Sequence, residues 1–378
     1  MVYNSAVSLT ILDFGGIDMT LSCERTSDNN LIVGFKCKGG LGDILISLNY
    51  IHEFRKQVGY KHVVIDVYAH RNLALVEALI PKNSFIDNIY VDEDIADNGD
   101  DRYDLFVMLN RFPDVRRRRE EKIYRYAPVL INFIQACEKF RIENLRFFDY
   151  LPLCDGIAND ISIIQKKKRI QQPDIFNLFN ISEDFRYELE IAPESMSFLR
   201  QMGLKENEYI TIHRGTDDRQ VKNSTKLWPF TSYQILIDLI KKNFPTVKIV
   251  QVGINKERCP AFANIDVSLV GKTSIEDMKA ILKYSKFHID NEGGNVHLRH
   301  ALNGGISAVI YGPTAPEFYG YSENINLRGN GCKYPCEWVI NNWQANCARG
   351  FESENLPCMN SLTPEIVFNN IKKVLEDC

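Results

Sequence analysis

The sequence has no apolar run of the roughly 18 residues that a membrane-spanning helix needs, and no basic segment followed by an apolar one near Met1. We therefore expect no membrane span and a cytoplasmic protein. An excess of basic charge is also absent, because the formal net charge is -4. The chain gains no general attraction to nucleic acid or to anionic membranes, so a nucleic-acid partner is not expected.

The ten cysteines are spread too thinly over 378 residues for a disulfide scaffold, which is typical of short secreted chains. Six are scattered and are expected to be free thiols. The other four follow a C-x3-C-x10-C-x10-C spacing: Cys332, Cys336, Cys347 and Cys358. Four thiolates at such separations can close a tetrahedral shell around zinc or iron. Because that shell leaves no position for water, we expect a structural metal in a loop spanning residues 331–359.

Strand-like and helix-like segments alternate along most of the chain, which predicts an α/β fold with helices covering parallel sheets. A single core rarely exceeds roughly 250 to 300 residues, so the chain should divide. We expect two Rossmann-like domains that face a cleft, the first at residues 30–205 and the second at residues 206–378. Residues 1–29 indicate a small β-hairpin addition, and the weaker pattern from about residue 154 to residue 205, which includes the basic run 166–169, favours a boundary region.

A glycine-rich turn at residues 39–43 (GGLGD) lies between a predicted strand at 31–35 and a predicted helix at 44–58. Glycines permit a tight turn, and the N–H groups of a helix start point towards whatever lies above it. Asp43 then fits either a helix cap or a general base that takes a proton from a hydroxyl. A dinucleotide fingerprint matches less well, because Leu45 stands where that motif needs its third glycine.

A second group of candidates follows the predicted strands of the C-terminal half. Residues 290–297 (DNEGGNVH) end a strand in an acid, turn at two glycines and begin a helix whose N–H groups suit a diphosphate. Asp290 and Glu292 could bind sugar or ribose hydroxyls, and His297 could donate to a phosphate. A helix capped by Asn295, with His297 as a satisfied polar residue, fits the same pattern. The turn at residues 312–314 would close the same pocket.

Charged residues outside these turns are harder to assign. Lys226 stands just before Trp228 and a predicted helix, where it could stabilise a departing diphosphate, although an exposed loop lysine also fits. The acidic triplet at residues 92–94 and the basic run at residues 116–119 are interpreted as solvated, exposed segments.

As a set, residues 39–43, 226–229, 290–297 and 311–314 resemble the heptosyltransferase family, the ADP-heptose-dependent glycosyltransferases of the GT-B fold. The Cys-rich segment and the β-rich N-terminus resemble the branch that transfers heptose to serine residues of autotransporter adhesins, in which four cysteines hold iron. The resemblance implies an ADP-heptose donor, inverting transfer, an autotransporter acceptor, a homo-oligomer, and iron rather than zinc. It implies no catalytic divalent metal.

The resemblance also assigns roles to individual residues. Asp43 falls on the general base, and Lys226 on the lysine that neutralises the leaving diphosphate. The donor-binding positions expected in this cleft are Arg214, Thr216, Glu257, Thr273, Asp290, Asn291, Glu292, Gly293, Gly294, His297, Gly312, Pro313 and Thr314. Two alternatives remain: sugar transfer to lipopolysaccharide core, and a metal-stabilised interaction module with an inactive cleft. A zinc ribbon that binds nucleic acid is disfavoured by the acidic balance.

Overall fold

The computed structural model describes residues 29–69, 73–81, 84–144, 151–215, 224–254 and 259–376. Of the hairpin expected at residues 1–29, residues 1–28 lie outside the described residues. The helices of this part are α1 (Leu41–Val58), α2 (Leu73–Glu77), α3 (Glu120–Tyr126), α4 (Leu130–Glu143), α5 (Leu151–Ile164), α6 (Pro193–Gln201), α7 (Phe230–Asn243), α8 (Ile275–Tyr284), α9 (Gly294–Ala301), α10 (Pro316–Tyr319), α11 (Pro357–Asn360) and α12 (Pro364–Glu376). The strands are β1 (Leu31–Cys37), β2 (Val63–Ala69), β3 (Asn88–Val91), β4 (Leu105–Leu109), β5 (Pro113–Arg118), β6 (Tyr209–Ile212), β7 (Lys248–Gln251), β8 (Val267–Ser268), β9 (Phe287–Asn291), β10 (Ser307–Tyr311) and β11 (Ile325–Arg328). Short 3-10 helices lie at Asp92–Asp94, Arg169–Asp174 and Ser353–Asn355.

The first sheet has the strand order β3-β2-β1-β4-β5. β1 pairs in parallel with β2 and β4, whereas β5 pairs antiparallel with β4 at the edge. Every residue of β1 is buried, which suits a central strand covered on both faces. α1 joins the same core through Ile44, Leu48 and Ile51. The first sheet therefore carries α1, and with it Asp43, on a rigid base.

The second sheet has the order β11-β10-β9-β6-β7-β8, and all its pairs are parallel. Reading outwards from β6, this is the doubly wound arrangement in which the strand order reverses at the centre. Its core includes Ile210, Ile289 and the fully buried Trp228. With two parallel-dominated sheets covered by helices, the α/β prediction is confirmed.

The two sheets meet where the start of α1 packs against the start of α9. An ideal Cβ placed on Gly42 would lie 2.3 Å from Cδ2 of His297, and one on Gly294 would lie 2.9 Å from Cβ of Leu41. Side chains larger than hydrogen do not fit at these contacts. Because ligands of doubly wound sheets bind at the carboxyl ends of the strands, the junction brings the two predicted binding turns to one place.

Several elements differ from the sequence-based expectations. The helix predicted at residues 44–58 begins at Leu41, and the strand predicted at residues 31–35 continues to Cys37. Three members of the basic run at residues 116–119 belong to the edge strand β5, where Arg116 and Arg117 are partly buried and Arg118 is exposed. The weakly patterned stretch after residue 154 contains α6 and the 3-10 helix that begins at the buried Arg169. Among the described residues, no helix is long and apolar enough to cross a membrane.

Candidate active site

Asp43 lies in the first turn of α1, at the bottom of the junction between the sheets. Its Oδ2 accepts a hydrogen bond of 3.0 Å from the N–H of Gly40, so the carboxylate caps the helix from its third position. Its Oδ1 accepts a hydrogen bond of 2.7 Å from Nη2 of Arg169 and lies 3.8 Å from Nη1 of Arg111. The predicted base therefore does cap its helix, and it is also ion-paired.

The two arginines control the charge of Asp43. Burial alone would raise the pKa of its carboxyl group, but the guanidinium groups of Arg111 and Arg169 hold that pKa well below its usual range. The carboxylate is therefore ionised at any physiological pH. Its basicity is correspondingly low while both arginines remain in contact, because a general base works best when its pKa lies near the operating pH.

Arg169 is the most informative residue that the sequence reasoning missed. Its side chain is only 1 % exposed, and its Nε and Nη1 are buried without a hydrogen-bond partner among the described residues. Buried guanidinium nitrogens that lack an acceptor are costly. They are therefore well placed to receive the oxygens of an anionic ligand. Its position at the end of the basic run 166–169 was the one available signal.

His297 faces the same junction from α9. Its Nδ1 lies 2.6 Å from the hydroxyl of Tyr321, and burial together with the charge of Arg169 lowers its pKa to about 4. The imidazole is therefore neutral at pH 7. When Tyr321 donates to Nδ1, the ring carries its proton on Nε2, so His297 can offer a hydrogen bond to a phosphate oxygen but no positive charge.

Lys226 and the residues after β9 form one connected group. The ammonium of Lys226 pairs with the buried carboxylate of Glu292. Oδ1 of Asn291 accepts a hydrogen bond of 2.9 Å from the N–H of Trp228, and Nε of Arg214 donates one of 2.9 Å to the carbonyl oxygen of Trp228. Three residues predicted to bind the donor thus hold the segment that carries Lys226. Their contact with a donor stays a prediction.

Asp290 is engaged by two histidines. Its carboxylate oxygens lie 2.8 and 2.9 Å from Nδ1 of His213, and Oδ2 lies 3.3 Å from Nε2 of His288. Burial alone would lower the pKa of His213, but the charge of Asp290 raises it to about 10, and the pKa of Asp290 is lowered in turn. His213 and Asp290 therefore form a buried ion pair next to the site. The predicted contact of Asp290 with sugar hydroxyls stays a prediction.

The turn at residues 312–314 packs directly behind the Lys226 segment. An ideal Cβ on Gly312 would lie 2.9 Å from the carbonyl oxygen of Thr225. The carbonyl oxygen of Pro313 accepts hydrogen bonds from the N–H groups of Cys336 and Glu337, at 2.9 and 3.1 Å. The buried Thr314 has no hydrogen-bond partner for its Oγ1 among the described residues. The turn is therefore fixed by its neighbours on two sides.

Two of the other predicted donor-binding positions, Gly293 and Thr273, are described by the structure, and two are not. Gly293 is the N-cap of α9 with an extended backbone, and an ideal Cβ there would make only an ordinary contact, 3.8 Å from the carbonyl oxygen of Asn291. Thr273 is partly exposed and precedes Ser274, the N-cap of α8. Thr216 and Glu257 lie outside the described residues. The junction therefore gathers Asp43, Lys226 and the residues after β9, while Thr273 belongs to the start of another helix.

A second polar cluster beside Asp43 was also missed from the sequence. Nε of Arg111 lies 4.0 Å from Oδ2 of Asp155, and its Nη1 donates a hydrogen bond of 3.4 Å to the hydroxyl of Tyr319. That hydroxyl donates one of 2.6 Å to Oε1 of Glu337. Burial raises the pKa of both Asp155 and Glu337. Arg111 therefore links Asp43 to a cluster of buried acids contributed by both halves of the chain.

The four spaced cysteines are neighbours. Burial, followed by the charges of the other cysteines, raises the pKa of Cys336, and it raises the pKa of Cys358 to about 11. All four are free thiols, as are Cys37, Cys137 and Cys259. Within the described residues, no three His, Cys, Asp or Glu side chains converge as ligands for a metal ion. The thiols thus share one region without the spacing of a closed coordination shell.

Comparison with known proteins agrees with this geometry. Residues 162–341 match Glycosyltransferase family 9 (heptosyltransferase). Lipopolysaccharide heptosyltransferase 1 of Campylobacter coli is 29% identical over 159 residues, which cover 40% of this chain and 42% of that protein. The match thus spans less than half of this curated relative. Both matches are to heptosyltransferases, the family that these residues resemble in the sequence analysis.

Solved structures extend the fold likeness over nearly the whole chain. ADP-heptose lps heptosyltransferase II of E. coli has a TM-score of 0.53 and 14% identity, covering 92% of this chain and 99% of that one. The iron-containing dodecameric glycosyltransferase TibC of enterotoxigenic E. coli has a TM-score of 0.59 and 13% identity, covering 92% and 79%. At such low identity the likeness shows the shared fold, which is that of the GT-B heptosyltransferases.

Proposed function

We propose that this chain is an inverting glycosyltransferase that moves heptose from ADP-heptose to a hydroxyl group. The observation that carries the proposal is the junction of the two sheets, where the start of α1, which carries Asp43, packs against the start of α9, and Lys226 pairs with Glu292 just before α9. The family match covers residues 162–341, and a TibC structure contains ADP-D-beta-D-heptose. These comparisons support heptose from an ADP-linked donor as the transferred sugar.

The chemistry follows from the positions of these groups. The acceptor hydroxyl gives its proton to Asp43 and attacks the anomeric carbon, while the bond from that carbon to the diphosphate oxygen breaks and ADP leaves. Lys226 and the N–H groups at the start of α9 stabilise the charge on the departing diphosphate, and His297 adds a neutral hydrogen bond. Asp43 becomes an effective base when a ligand draws the guanidinium of Arg169 away from it.

The test of this mechanism is Asp43→Asn, which keeps the size of the side chain and removes its ability to accept a proton. We expect heptose transfer to fall by roughly 100- to 10,000-fold, the usual contribution of a general base. ADP binding, measured by calorimetry, should change little because the proposed nucleotide contacts lie on the second sheet. A variant with normal turnover would remove Asp43 from this role.

For the acceptor, we propose serine residues of an autotransporter adhesin. The Cys-rich segment supports this choice, as does the fold likeness to the iron-containing glycosyltransferase TibC. The curated relative instead acts in lipopolysaccharide synthesis, which makes lipopolysaccharide core the second candidate. Mass spectrometry of an adhesin co-expressed with this chain should show added heptose on serine. Unmodified adhesin, with heptose added to lipopolysaccharide core, would favour the second candidate.

We also propose that Cys332, Cys336, Cys347 and Cys358 hold one structural metal, with iron favoured over zinc. Soft thiolates suit both ions, and a bound cation would offset the burial and the mutual repulsion that together raise the pKa values of Cys336 and Cys358. Ligation requires the sulfur atoms to move closer together. The purified protein should contain one iron per chain and a visible colour that dithionite removes. Stoichiometric zinc would reverse the choice of metal, and a metal-free protein would refute the site.

A homo-oligomer completes the proposal, since TibC is dodecameric. Light scattering of the purified protein tests it, because a monomer has a mass of 43.5 kDa. A mass that stays at this value over the working concentration range would exclude a stable oligomer.

A further inference from the structure

The loop between Cys332 and Cys358, called the cysteine loop here, lies against the active site. Its first contact is with the turn behind Lys226. The N–H groups of Cys336 and Glu337 both donate to the carbonyl oxygen of Pro313, at 2.9 and 3.1 Å. Two backbone bonds to one oxygen fix the loop against this turn.

A second contact holds the residue next to Lys226. The N–H of Thr225 donates a hydrogen bond of 2.8 Å to the carbonyl oxygen of Gln344, and its Oγ1 donates one of 2.8 Å to the carbonyl oxygen of Trp343. Thr225 is 3 % exposed, so both bonds are shielded from water. The cysteine loop therefore sets the position of the backbone from which Lys226 extends.

A third contact crosses to the other half of the molecule. Oε2 of Glu337 accepts a hydrogen bond of 3.2 Å from Nδ2 of Asn159 on α5, and Oε1 accepts the hydroxyl of Tyr319 at 2.6 Å. The ring of Trp338 lies 5.8 Å from the guanidinium carbon of Arg111, within the range of a cation–π contact. An ideal Cβ on Gly156, also on α5, would lie 3.2 Å from Cβ of Trp338.

The backbone at Trp338 is strained, which indicates that these contacts matter. Its φ is 63°, a left-handed conformation that bulky residues rarely adopt. Such strain persists where the surroundings over-determine the conformation, and it concentrates at functional sites. Here the surroundings are Trp343, whose ring packs edge-on at 5.6 Å, together with Arg111 and Gly156.

We propose that Glu337 and Trp338 are positioning residues that fix Arg111 and Asp43 of the first half relative to Lys226 of the second. This inference rests on the proposed transfer reaction and assigns the cysteine loop a task beyond holding a metal. The same loop binds the Lys226 segment through Thr225 and the Asp43 side through Arg111 and α5. Displacing either residue leaves both reacting groups present but wrongly spaced.

The test compares variants within the cysteine loop. Trp338→Ala should lower kcat by roughly 10- to 100-fold, because misplacement by about 1 Å can cost that much. Trp338→Phe restores a ring under Arg111 and should recover most of the rate. Glu337→Gln keeps an oxygen for Tyr319 but loses the acceptor for Asn159, and should also lower kcat. In each variant the ADP-heptose KM and the affinity for ADP should stay near the wild-type values.

Two exposed positions of the same loop give matched controls. Tyr334 is 69% exposed and Val339 is 66% exposed, so Tyr334→Phe and Val339→Ala should leave kcat unchanged. If the wild type transfers heptose and Trp338→Ala and Glu337→Gln have the same kcat as the wild type, the positioning role is overturned. It is also overturned if both variants lose ADP affinity in proportion to their loss of kcat. A wild type that transfers no heptose would instead overturn the proposed function, and this inference with it.

Discussion

Replacing Arg169 by glutamine should change the pH at which Asp43 loses its charge. The guanidinium donates at 2.7 Å to a carboxylate that is 28% exposed, while Arg111 stays at 3.8 Å. One opposite charge within ~4–6 Å typically lowers the pKa of an aspartate by about 1 to 3 units. Removing Arg169 should therefore raise the pKa of Asp43 by an amount in that range and leave it partly lowered by Arg111.

The sign of the effect on activity follows directly. Asp43 accepts a proton only as a carboxylate, and its pKa in the wild type is well below the usual range. The acid limb of kcat/KM due to Asp43 should therefore lie at very low pH, and in Arg169→Gln it should move towards neutral pH by about 1 to 3 units. Above that limb the variant's base is intrinsically stronger, so part of the rate lost through poorer positioning should return.

Stability gives an independent measure of the same pair. Leaving one member of a buried ion pair unpaired costs about 3 to 5 kcal/mol, and we expect the lower end because Asp43 keeps Arg111 and some solvent. The assays are kcat/KM from about pH 2 upwards, where only the variant's limb should come into view, and urea unfolding at pH 7. Arg102→Gln, which removes a surface pair with Asp100, is the matched control and should change neither. An acid limb that coincides with that of the wild type would refute the assigned coupling.

Two further predictions concern the junction and the pair behind it. Gly42→Ala should destabilise the protein by roughly 1–3 kcal/mol in urea unfolding, because the new Cβ would lie 2.3 Å from Cδ2 of His297. Gly293→Ala is the control and should cost less, because the nearest atom to its Cβ would be 3.8 Å away. Equal losses of stability in the two variants would contradict the packing argument. The raised pKa of His213, about 10 against 6.5, means that its pairing with Asp290 contributes stability that is full below pH 6.5 and is lost as the pH rises to about 10. His213→Asn should therefore lose less unfolding free energy than the wild type between pH 7 and pH 10, and parallel losses would exclude the pair as the cause.

The sequence predicted the elements that have a local signature. The alternation of strands and helices indicated the α/β fold, and the glycine turns at residues 39–43 and 290–297 do lie at strand ends, facing one another. A turn of this kind is recognisable because only glycine meets its backbone and contact requirements. The helix expected to begin within residues 290–297 starts at Gly294, with Gly293 rather than Asn295 as its N-cap.

The sequence did not indicate which neighbours the candidate site residues contact within the protein. Glu292 and Asn291 are expected to bind the donor, which stays a prediction, and the structure adds contacts that the sequence did not indicate, with Lys226 and with the N–H of Trp228. A carboxylate or an amide has the same residue type whether it meets a sugar or a neighbouring loop. The choice depends on how the segment after β6 returns to β9, and residue spacing carries no such information.

The strongest example is the pair of Arg169 and Asp43, which are separated by 126 positions along the chain. Arg169 comes from a basic run that composition favours as a solvated boundary, yet its side chain is buried against the one carboxylate proposed to move a proton. The basicity of that carboxylate is set by charges within a few ångströms, however far away they lie in sequence. A local motif can therefore identify the group that reacts. The tertiary fold determines at which pH that group can accept a proton, and whether a ligand must bind first.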